Sequence, residues 1–451
     1  MTESSIQIQT KAERIRDVIR YIKKFKNATI VIYIDDKIIR SPMFTPHIHD
    51  ISLIKEAGLN VLIVPGAKER IDAILQANGI SWKTRDGCRI TDEKAIPLIK
   101  SAAFEVANIV MTSLAGERMT AVIGNWVRAR GKGVISGIDF GTSGVTDRID
   151  SDAIMTVLKD GFIPIFPCIG WSLNGKPYNI SSVQLASQIA IHLQADKLFF
   201  LIEDAEIKKP FFAIPDETPL SPEGNVPAMN IEEVSRFLSL NESRAAKNDE
   251  PLFGRIISVL NLSKDACAKG VTRAHIINGS IAGTIPCEIF SDLGSGTMIY
   301  SSDYGKIRAM RREDISPVLS LIQPLVSKGI LLPRTEAQLE STYNDYIIYE
   351  VDGAVRACSS LHIYDSENAE IAAVAVDETF CGIGIGVKMI EYLITKAKTI
   401  SIKNIFALTT QTADWFESLE FKHANASELP EKRRAAMDPR RASKVYKLQI
   451  T

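Results

Sequence analysis

From residue 28 to about residue 300, short apolar runs alternate with longer amphipathic stretches, and this alternation is the strongest constraint on the fold. The strand-like runs are Thr29–Ile34, Asn60–Val64, Gly133–Ile135, Ile163–Phe166, Leu198–Ile202 and His275–Ile277. Between them lie helical stretches at Lys68–Ala77, Glu93–Leu114, Ser151–Leu158, Val183–Leu193 and Ile256–Ala268. Strands that are apolar on both faces must be covered on both faces. The pattern therefore predicts an α/β fold, a largely parallel sheet between two helical layers (αβα). The segment Lys208–Asn230, rich in prolines and acids, reads as a surface excursion.

A second constraint lies near the C-terminus. Glu370–Val376 is an Ala- and Val-rich run that ends at Asp377, as a buried strand does. Then come Gly382, Gly384 and Gly386, and after them Lys388–Ile394, with apolar residues at helical spacing. The reading is strand, glycine turn, helix. Such a turn lets several backbone N–H groups converge on one anion with the helix dipole behind them. The same pattern also serves as plain strand-to-helix geometry. Around it, Lys306–Met310 is a short strand and Glu313–Ser327 a helix with Ile315, Val318, Leu319 and Ile322 on one face. Further strands are predicted at Asp345–Val351, Ala354–His362 and Asn404–Leu408. The domains predicted are a helix within 1–27, an α/β unit at 28–300, a linker at 301–305 and a second unit at 306–451.

Composition excludes several function classes. A net charge of −1 provides no field for nucleic acid or a membrane surface. The basic tail (Lys432, Arg433, Arg434, Arg440, Arg441, Lys444) lacks an accompanying RNA-binding aromatic motif and reads equally as a solvated face. Six scattered cysteines form no CxxC pair, and no His stands at zinc-ligand spacing, so no metal is expected and the thiols are read as reduced. The polar start Met1–Ser5 lacks the apolar core of a signal peptide, and no run of 18 apolar residues occurs. A cytoplasmic protein is predicted. Residues 10–26, with Ile15, Val18, Ile19 and Ile22 on one face, form either a surface helix or one that packs on another subunit.

The first unit resembles the amino-acid kinase family, in particular its arginine-sensitive N-acetylglutamate kinase branch. The resemblance is carried by Val64–Ala67, Asp139–Gly144, Tyr178–Ile180 and Asn278–Ser280. Active members carry Lys-x-Gly-Gly on the first strand, where this chain has Tyr33-Ile34-Asp35-Asp36-Lys37. Their second glycine loop is reduced here to Val64-Pro65-Gly66-Ala67, and Ser181-Ser182-Val183 replaces Asn-Ala-Asp. Phosphoryl transfer depends on positioned positive charge and backbone donors. These departures imply a unit without kinase activity. The stretch Cys287–Phe290 and Gly294–Ile299 resembles the family's arginine-binding segment, which implies an effector site at Glu288, Gly294, Gly296 and Thr297. A helix ending in a glycine C-cap is the plainer reading of the same residues. The resemblance implies a homo-oligomer, a hexamer or a dimer or tetramer.

The second unit resembles the GNAT acetyltransferases, whose Arg/Gln-x-x-Gly-x-Gly/Ala loop holds the pyrophosphate of acetyl-CoA. Gly384 and Gly386 fill the glycine positions, and Cys381 stands where the family has Arg or Gln. The resemblance implies acetyl-CoA contacts from Val374, Ala375 and Val376, which would polarise the thioester carbonyl, and from Cys381, Gly382, Ile383, Gly384, Ile385 and Gly386. An ammonium must lose a proton before it attacks, and Glu370, beside apolar Ile371, Ala372 and Ala373, is the candidate base. A solvated strand-end carboxylate is the alternative. Residues 405–434 resemble the bacterial N-acetylglutamate synthase family, which implies that Thr409 donates a hydrogen bond to the departing thiolate. A dicarboxylate substrate, L-glutamate, would be held by Leu332, Arg334, Arg433, Arg441 and Ser443, since Arg grips carboxylates through two planar bonds. The expected reaction is direct acetyl transfer to the α-amine, with L-arginine as feedback effector and neither nucleic acid nor membrane as partner. A bifunctional kinase–synthase and a non-catalytic arginine sensor are the competing readings.

Overall fold

The computed structural model describes residues 18–19, 22–23, 25–85, 87–216, 218, 220–221, 223–245, 251–290, 294–301, 305–351, 353–381, 384–438 and 441–450. The chain divides into two compact units, Met1–Ser302 and Asp303–Thr451.

In the first unit, eight strands form one sheet. Their order is Ala228–Asn230, Thr297–Tyr300, Arg273–Asn278, Lys197–Ile202, Thr29–Ile34, Asn60–Pro65, Ile163–Ile165 and Ala121–Ile123. Every neighbouring pair is parallel except Arg273–Asn278 with Thr297–Tyr300. Thr29–Ile34 is buried throughout and divides its side chains between two cores. Val31 and Tyr33 pack beneath the helices Ser151–Lys159, Ser182–His192 and Pro251–Ala268. Ile30, Ile32 and Ile34 pack beneath Phe44–Glu56, Lys68–Ala77 and Ile96–Gly116. This is the predicted αβα sandwich.

Two local expectations change. The run Gly133–Ile135 lies outside the main sheet: Val134–Ile135 pairs with Ile138–Asp139 in an exposed hairpin, turned by Ser136 and Gly137 at φ +51° and +77°. The stretch after Lys208 is anchored, because Phe212, Ile214 and Val226 are buried and Phe212 stacks on Phe253 with Phe237 tilted against it. The helix Ile96–Gly116 is long and apolar enough to cross a membrane by length and composition, but its Ile99, Ala103, Val106, Val110 and Leu114 are buried in the core. Of the predicted N-terminal helix, Val18, Ile19, Ile22 and Lys23 are helical, Phe25 and Lys26 lie in a bend and turn, and the rest lies outside the described residues.

The second unit is a seven-stranded sheet ordered Gly305–Ala309, Tyr346–Val351, Ala354–Ile363, Asn368–Val376, Asn404–Thr409, Lys444–Gln449 and Lys422–Ala424. Only Asn368–Val376 and Asn404–Thr409 run parallel, joined by the crossover helix Ile385–Thr399. That helix buries Ile385, Met389, Ile390 and Leu393 against one face of the sheet, and Ile315–Ser327 buries Ile315, Val318 and Ile322 against the other. The last strand, unpredicted, inserts beside Asn404–Thr409 and so carries the basic tail back across the sheet.

Candidate active site

The geometry of the second unit's site begins with a β-bulge. Ser360 pairs with Ala372 and Cys358 with Ala375, so Ala373 and Val374 together oppose Ser359. Ala373 takes φ +52°, a left-handed conformation that costs a non-glycine residue roughly 1 kcal/mol. The bulge switches the facing of the strand. Ala373 and Ala375 pack toward helix Ile315–Ser327, whereas Val374 and Val376 pack toward helix Ile385–Thr399. Pairing with the parallel neighbour ends at Ile371↔Ala407, so the two strands part beyond it. Backbone groups of the bulged segment on that side are therefore available to a ligand.

Above the unbulged end lies a cavity of about 400 Å³, lined among others by Leu332, Arg334, His362, Tyr364, Glu370, Arg433, Asp438, Arg441 and Ser443. All five predicted substrate contacts and the predicted base thus share one cavity. Glu370 is 4% exposed. Its Oε2 accepts from the Tyr364 hydroxyl at 2.7 Å and from Arg433 Nε at 2.7 Å. Its Oε1 has no hydrogen-bond partner among the described residues. Burial pushes the Tyr364 hydroxyl pKa up, and the Glu370 charge adds to it. Burial disfavours the Arg433 cation, but the hydrogen bond it donates to Glu370, together with the Glu370 charge, outweighs that and raises its pKa. Arg334 donates to the Tyr346 hydroxyl and Arg441 to the Gly329 and Ile330 carbonyls. Both guanidinium groups meet only neutral oxygens among the described residues, which leaves their charge for a ligand.

Thr409 is placed otherwise. Its hydroxyl oxygen accepts from the Thr412 N–H at 2.9 Å and the Gln411 N–H at 3.3 Å, and it shares a 2.7 Å contact with the Thr412 hydroxyl. It caps the turn after its strand and is not among the residues lining the cavity. Gly384 takes φ +78° at the start of helix Ile385–Thr399, which has no side-chain cap. At Gly386 an added Cβ would stand 3.2 Å from the Trp415 ring. Burial, with the Asp377 and Glu378 charges, raises the Cys381 pKa. Gly382 and Ile383 lie outside the described residues.

In the first unit, a cavity of about 240 Å³ is lined by Tyr33, Asp36, Lys68, Arg89, Asn179 and Arg255, among others. The two acids on the first strand are occupied there. Asp35 caps the helix that follows and pairs with Arg255, and Asp36 accepts the Glu69 N–H at the start of Lys68–Ala77. Glu288 turns inward. Its Oε1 meets His275 Nδ1 at 2.7 Å and its Oε2 accepts the N–H groups of Ser295 and Gly296, the latter at 2.9 Å. Burial lowers the His275 pKa to about 4, so at neutral pH this contact is a hydrogen bond from a neutral ring. Gly294 takes φ +64° against the Glu288 carboxylate, and Thr297 donates to the Val226 carbonyl at 2.6 Å.

Sequence reasoning missed Tyr364, His362 and His275. The signal for His362 was present: it alternates with Ser360 along its strand and shares their common face. Among the described residues no group of three His, Cys, Asp or Glu could hold a metal ion.

Residues 28–278 match the Amino acid kinase family and residues 321–421 the Acetyltransferase (GNAT) family. An amino-acid acetyltransferase of Actinobacillus pleuropneumoniae serotype 7 is 32% identical over 438 residues, covering 95% of this chain and 96% of that protein. A crystal structure of N-acetylglutamate synthase from Neisseria gonorrhoeae, complexed with coenzyme A and L-arginine, is similar with TM-score 0.79 and 29% identity. That match covers 97% of this chain and 99% of the other. A second structure of the same enzyme, with coenzyme A and N-acetyl-glutamate, has TM-score 0.60 and 29% identity, over 98% of this chain and 99% of that one.

Proposed function

This chain belongs to the amino-acid acetyltransferases, with an amino acid kinase family unit preceding a GNAT unit, and we propose that it is an N-acetylglutamate synthase under feedback by L-arginine. It transfers the acetyl group of acetyl-CoA to the α-amine of L-glutamate, the first step of arginine synthesis. The observation that carries the reading is the gathering of Glu370, Arg334, Arg433, Arg441 and Ser443 around one cavity. Two guanidinium groups without an anionic partner, and one carboxylate with an unpartnered oxygen, among the described residues suit a ligand with two carboxylates and an ammonium.

The mechanism is direct attack in a ternary complex. Arg334 and Arg441 grip the substrate carboxylates, while Glu370 Oε1 takes a proton from the ammonium. The neutral nitrogen attacks the thioester carbon, and the developing oxyanion is met by backbone N–H groups around Val374–Val376. The C–S bond breaks as the attacking nitrogen gives up its second proton to the departing sulfur, which Thr409 steadies with a hydrogen bond once its hydroxyl turns from Thr412. The glycine turn at Gly384–Gly386 and the uncapped helix behind it hold the pyrophosphate of acetyl-CoA.

In this reading the unit at 28–300 has no kinase activity, because Asp35 and Asp36 stand where transferred phosphate would need positive charge. Glu288, with Gly294, Gly296 and Thr297, forms the arginine site, where the carboxylate exchanges its contact with His275 for a guanidinium. The protein is a cytoplasmic homo-oligomer. Steady-state thiol release from acetyl-CoA with L-glutamate, with and without L-arginine, tests the proposal, and ATP turnover is followed in parallel. Glutamate-dependent release suppressed by arginine, without ATP turnover, supports it. ATP turnover would restore the bifunctional reading, and absence of any release would leave an arginine sensor.

A further inference from the structure

Each turnover leaves one proton on the base, and that proton must leave before the next ammonium enters. We propose that His362 is the second proton acceptor of the acetyltransferase cavity, taking from Glu370 the proton removed from the amine and delivering it to solvent beside Asp345. The inference rests on the reading of Glu370 as the base.

His362 stands directly opposite Glu370 in the antiparallel strand pair, which places their Cβ atoms roughly 5 Å apart on one face of the sheet. Both side chains line the cavity. The imidazole Nδ1 lies 2.8 Å from Asp345 Oδ2, and Nε2 lies 3.0 Å from the Ser360 hydroxyl. The Ser360 hydroxyl is also 3.0 Å from the Ala372 carbonyl, which the Ser359 hydroxyl reaches at 3.3 Å.

A single hydroxyl proton can serve only one of these partners at a time, which yields two complete arrangements. With a neutral ring, Nδ1–H donates to Asp345 and the Ser360 O–H donates to Nε2, while Ser359 serves the Ala372 carbonyl. With a cationic ring, Nε2–H donates to Ser360, whose own proton turns to Ala372, and Asp345 carries the counter-charge. Neither arrangement strands a donor or acceptor of this network. His275 in the other unit is the contrast: its Nε2 is buried without a partner among the described residues, and burial holds it neutral.

The exit is open. The His362 and Asp345 side chains are 23% and 42% exposed. The other groups facing the ring are Tyr346, edge-on at 6.0 Å and bonded to Arg334, and Tyr364 and Arg433, both engaged with Glu370. Arg441 and Asp438 complete the charges around the cavity. The proton balance is simple. Glu370 Oε1 gains the amine's proton and becomes a carboxylic acid, its O–H then breaks as the proton passes to Nε2 through Ser360 or water, and the imidazolium loses one proton to solvent.

The test is the pH dependence of kcat for wild type, His362→Gln, His362→Ala, Asp345→Asn and Glu370→Gln, with acetyl-CoA binding as the control for folding. His362→Gln is expected to lower kcat at neutral pH about tenfold to a hundredfold, with the KM for glutamate changed less than about threefold. Added imidazole should restore part of kcat in His362→Ala, and Asp345→Asn should shift the acid limb of the profile. A His362→Gln enzyme with the wild-type profile would overturn the inference, as would a loss confined to KM that imidazole does not rescue. If Glu370→Gln keeps full activity, the base assignment fails instead, whatever His362 does.

Discussion

Glu370 is the residue on which the site turns. Replacing it with Gln keeps its shape but removes proton acceptance, so kcat should fall about 10²- to 10⁴-fold while acetyl-CoA binding persists. Arg433→Met removes the buried partner of that carboxylate and should destabilise the second unit by roughly 3 kcal/mol, read from chemical denaturation. Arg334→Lys and Arg441→Lys retain charge but lose the planar fork. Each should raise the KM for glutamate about tenfold with little change in kcat. At this scale the sequence was informative in part. Glu370, Arg334, Arg433, Arg441 and Ser443 are all named by residue type and resemblance, and they line one cavity. Tyr364 was not legible, because it acts only through the hairpin that folds it back onto Glu370.

Among elements, the long periodic ones were legible. Lys68–Ala77 is a helix over the predicted range, and five parallel strands of the first unit match their predicted runs to within a residue or two, whereas Ala121–Ile123, Ala228–Asn230 and Thr297–Tyr300 had no predicted run. What escaped prediction depends on distant pairing. The bulge at Ala373–Val374 is set by register against Ser359, and nothing in Ala-Val-Ala-Val announces it. The last strand, Lys444–Gln449, becomes a strand through pairing with Asn404–Thr409. The glycine turn gives a test at this scale. Gly386→Val would drive a branched side chain into the Trp415 ring and should raise the KM for acetyl-CoA well above that for glutamate. Gly384→Ala, at φ +78°, should cost about 1 kcal/mol in stability.

For the whole molecule, the first unit should be acid-labile near its effector site. Burial depresses the His275 pKa to about 4 from an ordinary value near 6.5, so the folded state binds fewer protons than the unfolded one between those values. Stability is therefore fully present above pH 6.5 and declines as pH falls toward 4. The Glu288 pKa is also lowered, because its hydrogen bonds to His275 and the loop outweigh burial, and its contribution is lost in the same direction. His275→Gln should flatten that decline in a pH series of thermal unfolding.

The central claim, acetyl transfer to the α-amine of glutamate by Glu370, is tested most directly by the product. Acetyl-CoA and L-glutamate are incubated with the wild-type protein and with Glu370→Gln, and N-acetyl-L-glutamate is quantified by mass spectrometry. The account predicts product with wild type and a loss of at least about a hundredfold with the variant. Absence of N-acetylglutamate from the wild-type reaction, or equal amounts from both proteins, would contradict it.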